Sequence, residues 1–326
     1  MTQQYLRRVS VTLEGSGGRI GFENNVEDDS AQFRIRFDIR QNNQQSPNIA
    51  SVIISNLSES TALRAQKEFQ KITVAAGYRG SEVTLFIGEI FQIRRGREDV
   101  TDTYLHIVAK SGNRATNFAT VNKSLASGHT YRDRVNVAFD AMKQLGVSVG
   151  HIADLPTRKF PRGFVCFGAA QDLMREIAFA TGTSWWVQND RLQLMQNAKG
   201  LPGETIVLNS DTGLIGLPVQ TIQGIEARCL LNGWIAPGSK VKIDEKSIQQ
   251  YELNTSYLGE GQNALVPNIS RDGTYLVYEV NHNGDTRGLN FYTEMVGIRT
   301  GDNISAALAQ KGISALQPGD EGYYGG

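Results

Sequence analysis

The stretch Glu204–Asp244, ETIVLNSDTGLIGLPVQTIQGIEARCLLNGWIAPGSKVKID, decides how the rest of the chain is read. Ile225–Leu231 is an apolar strand, Ala236–Pro237–Gly238 a turn, and Lys240–Ile243 a further strand. The set lacks a partner until Gly273–Ile298, GTYLVYEVNHNGDTRGLNFYTEMVGI, which reads as a hairpin around Gly284–Gly288. Between them Ser247–Arg271 is polar and irregular, with Gly259, Gly261 and Pro267. The expectation is a β-barrel left half built and closed by the later hairpin, with the 247–271 loop hung from its edge.

The first third of the chain has the same texture. In Gln32–Arg40, Phe33, Ile35, Phe37 and Ile39 fall on one face and Arg34, Arg36, Asp38 and Arg40 on the other. A period of two is a half-buried strand. The charged side reads as a solvated face, or as a basic stripe facing an acidic partner. Asn48–Asn56, Ile72–Tyr78, Val83–Ile93 and Thr103–Ala109 are further strands. Ser58–Lys71 is a short helix with Ser58 or Ser60 as N-cap. The two regions echo each other: Glu89-Ile90 falls opposite Glu279-Val280, a charged glycine turn follows in both, and KITVAAGYRG (71–80) parallels GSKVKIDEK (238–246). The echo predicts an internal duplication.

Near Ser111 the pattern changes to helical spacing. Thr130–Leu145 carries Val135, Ala138, Phe139, Met142 and Leu145 on one face and stops at Gly146. Ala169–Thr181 is a second amphipathic helix that ends at Gly182. Ser184–Gln196, SWWVQNDRLQLMQ, is a hairpin with an Asn-Asp turn. The fold expectation is therefore mixed, β-rich α+β. It has two similar tube-like β-barrel domains, residues 1–111 and 204–300. An α/β insert fills residues 112–203, and residues 301–326 form an extended tail.

Composition narrows the function. The 326 residues suit two or three domains, and 33 basic against 33 acidic residues leave no field to hold nucleic acid. Cys166 and Cys229 sit in apolar runs and read as buried thiols, with a disulfide between them as the alternative; no Cys or His pair has ligand spacing, so neither metal nor cofactor is expected. No run reaches the ~18 apolar residues of a membrane span, and the N-terminus lacks a signal-peptide core, so synthesis in a cytoplasm without membrane insertion is expected. His106, His129, His151 and His282 are scattered, and no G-x-S-x-G elbow or P-loop is present, so no catalytic residue is assigned. Arg94, Arg95 and Arg97 read as a solvated turn. Trp185 and Trp186 are adjacent strand residues facing opposite sides, one expected in the core and one as an interface anchor. Trp234, Tyr323 and Tyr324 are the other candidate interface residues.

SNLSESTALRAQKEFQKITVAAGYRG (55–80), LFIGEIFQIRRG (85–96) and DTYLHIVAKSG (102–112) resemble the N-terminal domain of baseplate hub proteins of contractile-tailed bacteriophages. LNSDTGLIGLPVQTIQGIEARCLLNGWIAPGSKVKID (208–244) resembles their second barrel, and the likeness runs from Leu6 to Ile298. Such hubs are similar to the spike-bearing proteins of type VI secretion. The resemblance implies a homotrimer in the virion's tail baseplate, made in the bacterial host. It would join the sixfold tail tube, or a tube adaptor, to the threefold central spike, with baseplate wedge proteins as neighbours. DNA would pass through its channel without specific binding. The alternatives are a tail-associated cell-wall hydrolase using the insert, and a carbohydrate-binding tail-tip protein using the three tryptophans.

Overall fold

The first third folds by alternation. In the computed structural model, residues 6–24, 33–197, 199–221, 224–243 and 273–300 are described, with the backbone pairing of Gln249–Gln250. Strands β1 (Arg7–Gly15), β2 (Gly18–Asn24), β3 (Ile35–Asn42) and β4 (Ile49–Ser55) precede helix α1 (Glu59–Glu68). Then come β5 (Phe69–Tyr78), β6 (Val83–Arg97) and β7 (Thr103–Lys110). Ile35, Phe37 and Ile39 are buried as the period of two requires, together with Val11, Ile72 and Ile107 in one core. Ser58 caps α1, its hydroxyl accepting the Thr61 N–H at 3.2 Å. The strands order β3-β4-β7-β6-β5-β1-β2. Its two ends meet around the core: the rings of Phe22 and Phe33 lie edge to face at 5.8 Å.

The middle segment has its own core. It contains α2 (Asn113–Phe118), β8 (Thr120–Leu125), α3 (Tyr131–Lys143), β9 (Ser148–Ile152) and β10 (Phe164–Ala169). Helix α4 (Ala170–Thr181) leads into the hairpin β11 (Thr183–Gln188) and β12 (Arg191–Gln196). A capping box starts α3: Thr130 N–H donates to Asp133 Oδ2 at 2.7 Å, and Thr130 Oγ1 accepts the Asp133 N–H. Asn189 and Asp190 both take positive φ, +50° and +56°, the conformation a two-residue hairpin turn needs. Val135, Met142, Leu173, Ile177 and Trp185 pack together here.

The last third consists of β13 (Ile206–Leu208), β14 (Leu214–Thr221), β15 (Gly224–Leu230), β16 (Lys240–Ile243), β17 (Gln249–Gln250), β18 (Thr274–Asp285) and β19 (Phe291–Arg299). Its spatial order β14-β15-β19-β18-β16 repeats β3-β4-β7-β6-β5, strand for strand in chain order. Each final hairpin carries one bulge, at Phe91 between Ile90 and Gln92, and at Tyr278 between Val277 and Glu279. Superposing the bulges equates Lys71–Val74 with Lys240–Ile243, since Lys71 faces Glu89 and Lys240 faces Leu276, each two residues before its bulge. The echo in these strands therefore holds. In the hairpin it is displaced: the residues equivalent to Glu279-Val280 are Gln92-Ile93, not Glu89-Ile90.

The β-rich expectation holds, but the described strands do not close two separate barrels. They form one fourteen-stranded sheet whose path runs through both units from β17 to β2. The reason is the length of β18. Strand β16 pairs only with Thr274–Leu276. The remainder of that edge, Glu279–Asp285, pairs antiparallel with Arg36–Asn42 of β3. A strand edge left with unpaired backbone groups takes the nearest partner, and here that partner comes from the other unit. The expected extended tail, residues 301–326, and most of the 247–271 loop lie outside the described residues.

Candidate functional site

The β18–β3 junction makes a solvent face that crosses both units. Directly opposed residues run Arg228, Glu294, Asn281, Arg40, Ile49 and Lys110 across six strands. Opposed residues in antiparallel strands share a face. Positive and negative side chains intermix along this row. A shallow hollow of about 670 Å³ opens on it beside Leu217, Glu226, Glu279 and Asn281.

The arginines of β3 and its approach are neutralised within the chain. Arg36 makes a two-pronged contact with Glu98, at 2.8 and 2.6 Å. Arg40 reaches Asp38 at 3.1 Å. Arg34 meets Asp285 at 2.9 Å, tying the start of β3 to the end of β18. Burial alone would raise the Asp285 carboxyl, but hydrogen bonds from Arg34 and from the Arg287 and Gly288 backbone hold it below the ordinary carboxylate range. On the same face Arg228 pairs with Glu294, with Nε to Oε1 at 2.9 Å. The reading as a paired, solvated face thus prevails over a basic stripe awaiting an acidic partner.

One arrangement has the composition of a nucleophilic dyad. Ser51 Oγ lies 2.8 Å from His106 Nε2, and Arg94 Nη2 lies 2.8 Å from His106 Nδ1. A guanidinium only donates, so Nδ1 must accept and Nε2 must carry the proton. The imidazole then donates to Ser51 and has no lone pair with which to activate it. Burial, then the Arg94 charge, lowers the His106 pKa and keeps the ring neutral. The same logic fixes His129: its Nε2 accepts from Arg134 Nε at 3.1 Å, so Nδ1–H donates to the Ala126 carbonyl at 2.8 Å. Arg134 is sandwiched by Phe160 and Phe164, a packing role. Among the described residues, no group of three or more His, Cys, Asp or Glu could hold a metal ion. Both cysteines are free and buried, and burial pushes the Cys229 thiol up to about 12.

The residues singled out from sequence do not converge. Trp185 and Trp186 face opposite sides as expected, yet both are 1 % exposed. Trp185 fills the middle core, while Trp186 packs on Met195, Leu276, Tyr278 and Ile298, joining the middle segment to the last third. Neither ring can stack on a sugar. Trp234, 70 % exposed in the β15–β16 connection, is the one of the three at the surface. Tyr323 and Tyr324 lie outside the described residues. What sequence reading missed is the far half of β6. The strand continues past Ile93 to Arg97, and no strand pairs its outer edge beyond Glu89 among the described residues. Its signal was present: two successive apolar residues, Ile90-Phe91, break the alternation just as Val277-Tyr278 does.

A family model described as "Baseplate hub gp41" matches residues 8–260. The chain belongs to this baseplate hub family. It is thus a structural protein of a phage tail, and the virion is its place. Solved tail proteins share the hub fold. The 43 kDa tail protein of prophage MuSo2 from Shewanella oneidensis is 8 % identical with a TM-score of 0.54, over 90 % of this chain and 98 % of that one. A tail protein of Neisseria meningitidis MC58 is 11 % identical with a TM-score of 0.54, over 93 % of this chain and 99 % of that one. A third is an Escherichia coli component of the type VI secretion system, described as structurally similar to the T4 bacteriophage tail proteins gp27 and gp5. It is 10 % identical with a TM-score of 0.53, over 82 % of this chain and 73 % of that one. A search of curated proteins gives no significant match. Among the described residues of the hub, no helix is long and apolar enough to cross a membrane.

Proposed function

We propose that three copies of this hub protein form a ring at the end of a contractile tail, joining the sixfold tail tube, or its adaptor, to the threefold central spike. Each chain brings two units of the same strand order, so a threefold axis generates six similar positions. One side of such a ring matches a sixfold object while the other keeps threefold symmetry. The repeated order of five strands is the observation that carries this reading. The units act as barrel-like sectors of the ring, residues 1–111 and 204–300. The middle segment, 112–203, stands outside them, where baseplate wedge proteins are its neighbours.

The row from Arg228 to Lys110 lines the channel in this reading. Its arginines already have carboxylate partners, so DNA crosses during genome ejection without being gripped. The work of the ring is symmetry matching and load transmission, with no chemical step. Mass measurement of the purified full chain, alone and with the phage's spike protein, tests the proposal. A trimer is the expected result, and a threefold-averaged image of the particle would then show six similar sectors. A strict monomer even with the spike present would overturn it.

A further inference from the structure

At one corner of the first unit, polar side chains turn inward. Gln41 near the end of β3 and Asn43 just beyond it share the core side of the strand, and each is 2 % exposed. The registers Arg40 to Ile49 and Ile49 to Lys110, carried one residue further, place Asn48 opposite Gln41 and Ser111 opposite Asn48. Opposed side chains of antiparallel strands share a face. Asn48 and Ser111 are buried as well. Hydrogen bonds pin the corner. The Asn43 N–H donates to the Tyr278 carbonyl at 3.1 Å, the Ser111 N–H to the Asn48 carbonyl at 2.9 Å, and the Asn42 N–H to Asn48 Oδ1 at 2.9 Å. Three parts of the chain meet here. Tyr278 belongs to the last third, Ser111 opens the middle segment, and Gln45 of the same loop accepts from Arg175 Nε of α4 at 2.7 Å.

Gln41 Nε2 donates to the Leu85 carbonyl at 2.7 Å. Its neighbours are not served. Asn43 Nδ2 and Oδ1, Asn48 Nδ2 and Ser111 Oγ have no hydrogen-bond partner among the described residues. Turning the Asn48 amide over brings no relief, because its Oδ1 already accepts the Asn42 N–H and the amino group is the one left over. Ser111 has no room to retreat, since the next residue, Gly112, packs so close to Val187 that a Cβ there would clash. Buried polar atoms are rarely left unpaired, and several around one corner call for a bridging group.

We infer that Asn43, Asn48 and Ser111 enclose a buried water site, which joins the β3–β4 loop to the start of the middle segment. The chemistry of the set selects water over an ion. It mixes amino donors, a carbonyl acceptor and a hydroxyl that does either, and water donates and accepts in the same way, making about three hydrogen bonds. A bare ion would be buried without a counter-charge. Arg175, which reaches this loop, is already held by Gln45 and by Asp172 at 2.9 Å. The site lies within one chain and does not depend on the ring.

A high-resolution crystal structure of the full chain, native and soaked in bromide, tests this. The expected result is a peak at ~2.7–3.2 Å from Asn48 Nδ2, Ser111 Oγ and the Asn43 amide, with no anomalous signal from bromide. No peak, or a bromide signal in its place, overturns the water site. Thermal melts give a second reading. Ser111→Ala and Asn43→Leu each remove hydrogen bonds to the water and should each lower Tm by about 2 °C. The double variant should lose less than the sum, because both changes release the same water. Were the groups unbridged, each change would remove an unpaired polar group and raise Tm. A rise in either single variant, or losses that simply add, refutes the inference.

Discussion

Lowering the pH should weaken the junction between the two units through a single side chain. His282 sits in β18 opposite Ile39 of β3 and Thr293 of β19, 1 % exposed. Its Nδ1 lies 2.9 Å from Thr293 Oγ1, which also accepts the Asn232 N–H at 3.0 Å. Burial holds its pKa at about 4 against an ordinary 6.5. The unfolded chain takes up this proton as the pH falls through 6.5, while the folded chain does not until about 4. Stability therefore declines as the pH falls across that window, by ~1.4 kcal/mol per unit, and levels off below it. The loss is about 2 kcal/mol at pH 5 and about 3 kcal/mol in full. Urea unfolding followed by tryptophan fluorescence at pH 7.5, 6, 5 and 4.5 measures it. His106 is shifted in the same direction, so the decisive quantity is the difference between the native chain and His282→Gln. The variant should lose most of the slope between pH 6.5 and 4. If both chains show the same slope, the junction is open to water or protons and the reasoning fails.

Three other outcomes are expected. Arg34→Ala removes the tie to Asp285 and should cost about 1 kcal/mol in a thermal melt, with Arg34→Lys recovering only part because the two-pronged contact is lost. Trp186→Ala empties a buried site between the middle segment and the last third and should cost ~3–5 kcal/mol, whereas Trp234→Ala should stay within about 0.5 kcal/mol in the same assay. Deleting residues 317–326, which carry Tyr323 and Tyr324, should leave the melt unchanged and weaken a pull-down of the spike protein or of a neighbouring hub; an unchanged pull-down refutes a docking role for that tail.

Local chemistry was legible in the sequence and long-range pairing was not. The alternation in β3, the Ser58 cap, the Asn189-Asp190 turn and the Gly182 stop each have a cause within a few residues, so the pattern shows them. Even the KITV and KVKI strands align as read. The hairpin echo slipped by three residues because each hairpin hides a bulge, and a bulge appears in sequence only as a stutter in alternation. Helix α2 went unread because six residues are too few to show a period. The pairing of β3 with β18 joins residues some 240 positions apart, and a strand carries no label naming its partner. For the same reason Trp185 and Trp186 could be assigned to opposite faces but not to two separate cores. The far half of β6 was harder still to read, since beyond Glu89 no strand among the described residues pairs its outer edge.

The clasp of β3 by β18 also sets an order of events during synthesis. Strand β3 leaves the ribosome early, and its partner Glu279–Asp285 follows after most of the chain has been made. Until then one edge of the nascent first unit is an open template, and contacts this distant in sequence form slowly. The Arg36 and Arg40 side chains along that edge are charged gatekeepers against pairing with a stray strand. A message cut short before residue 279 would leave the template open for good. The sealing of the first unit therefore waits for the synthesis of Glu279–Asp285, and only copies that have reached that strand have the edge taken.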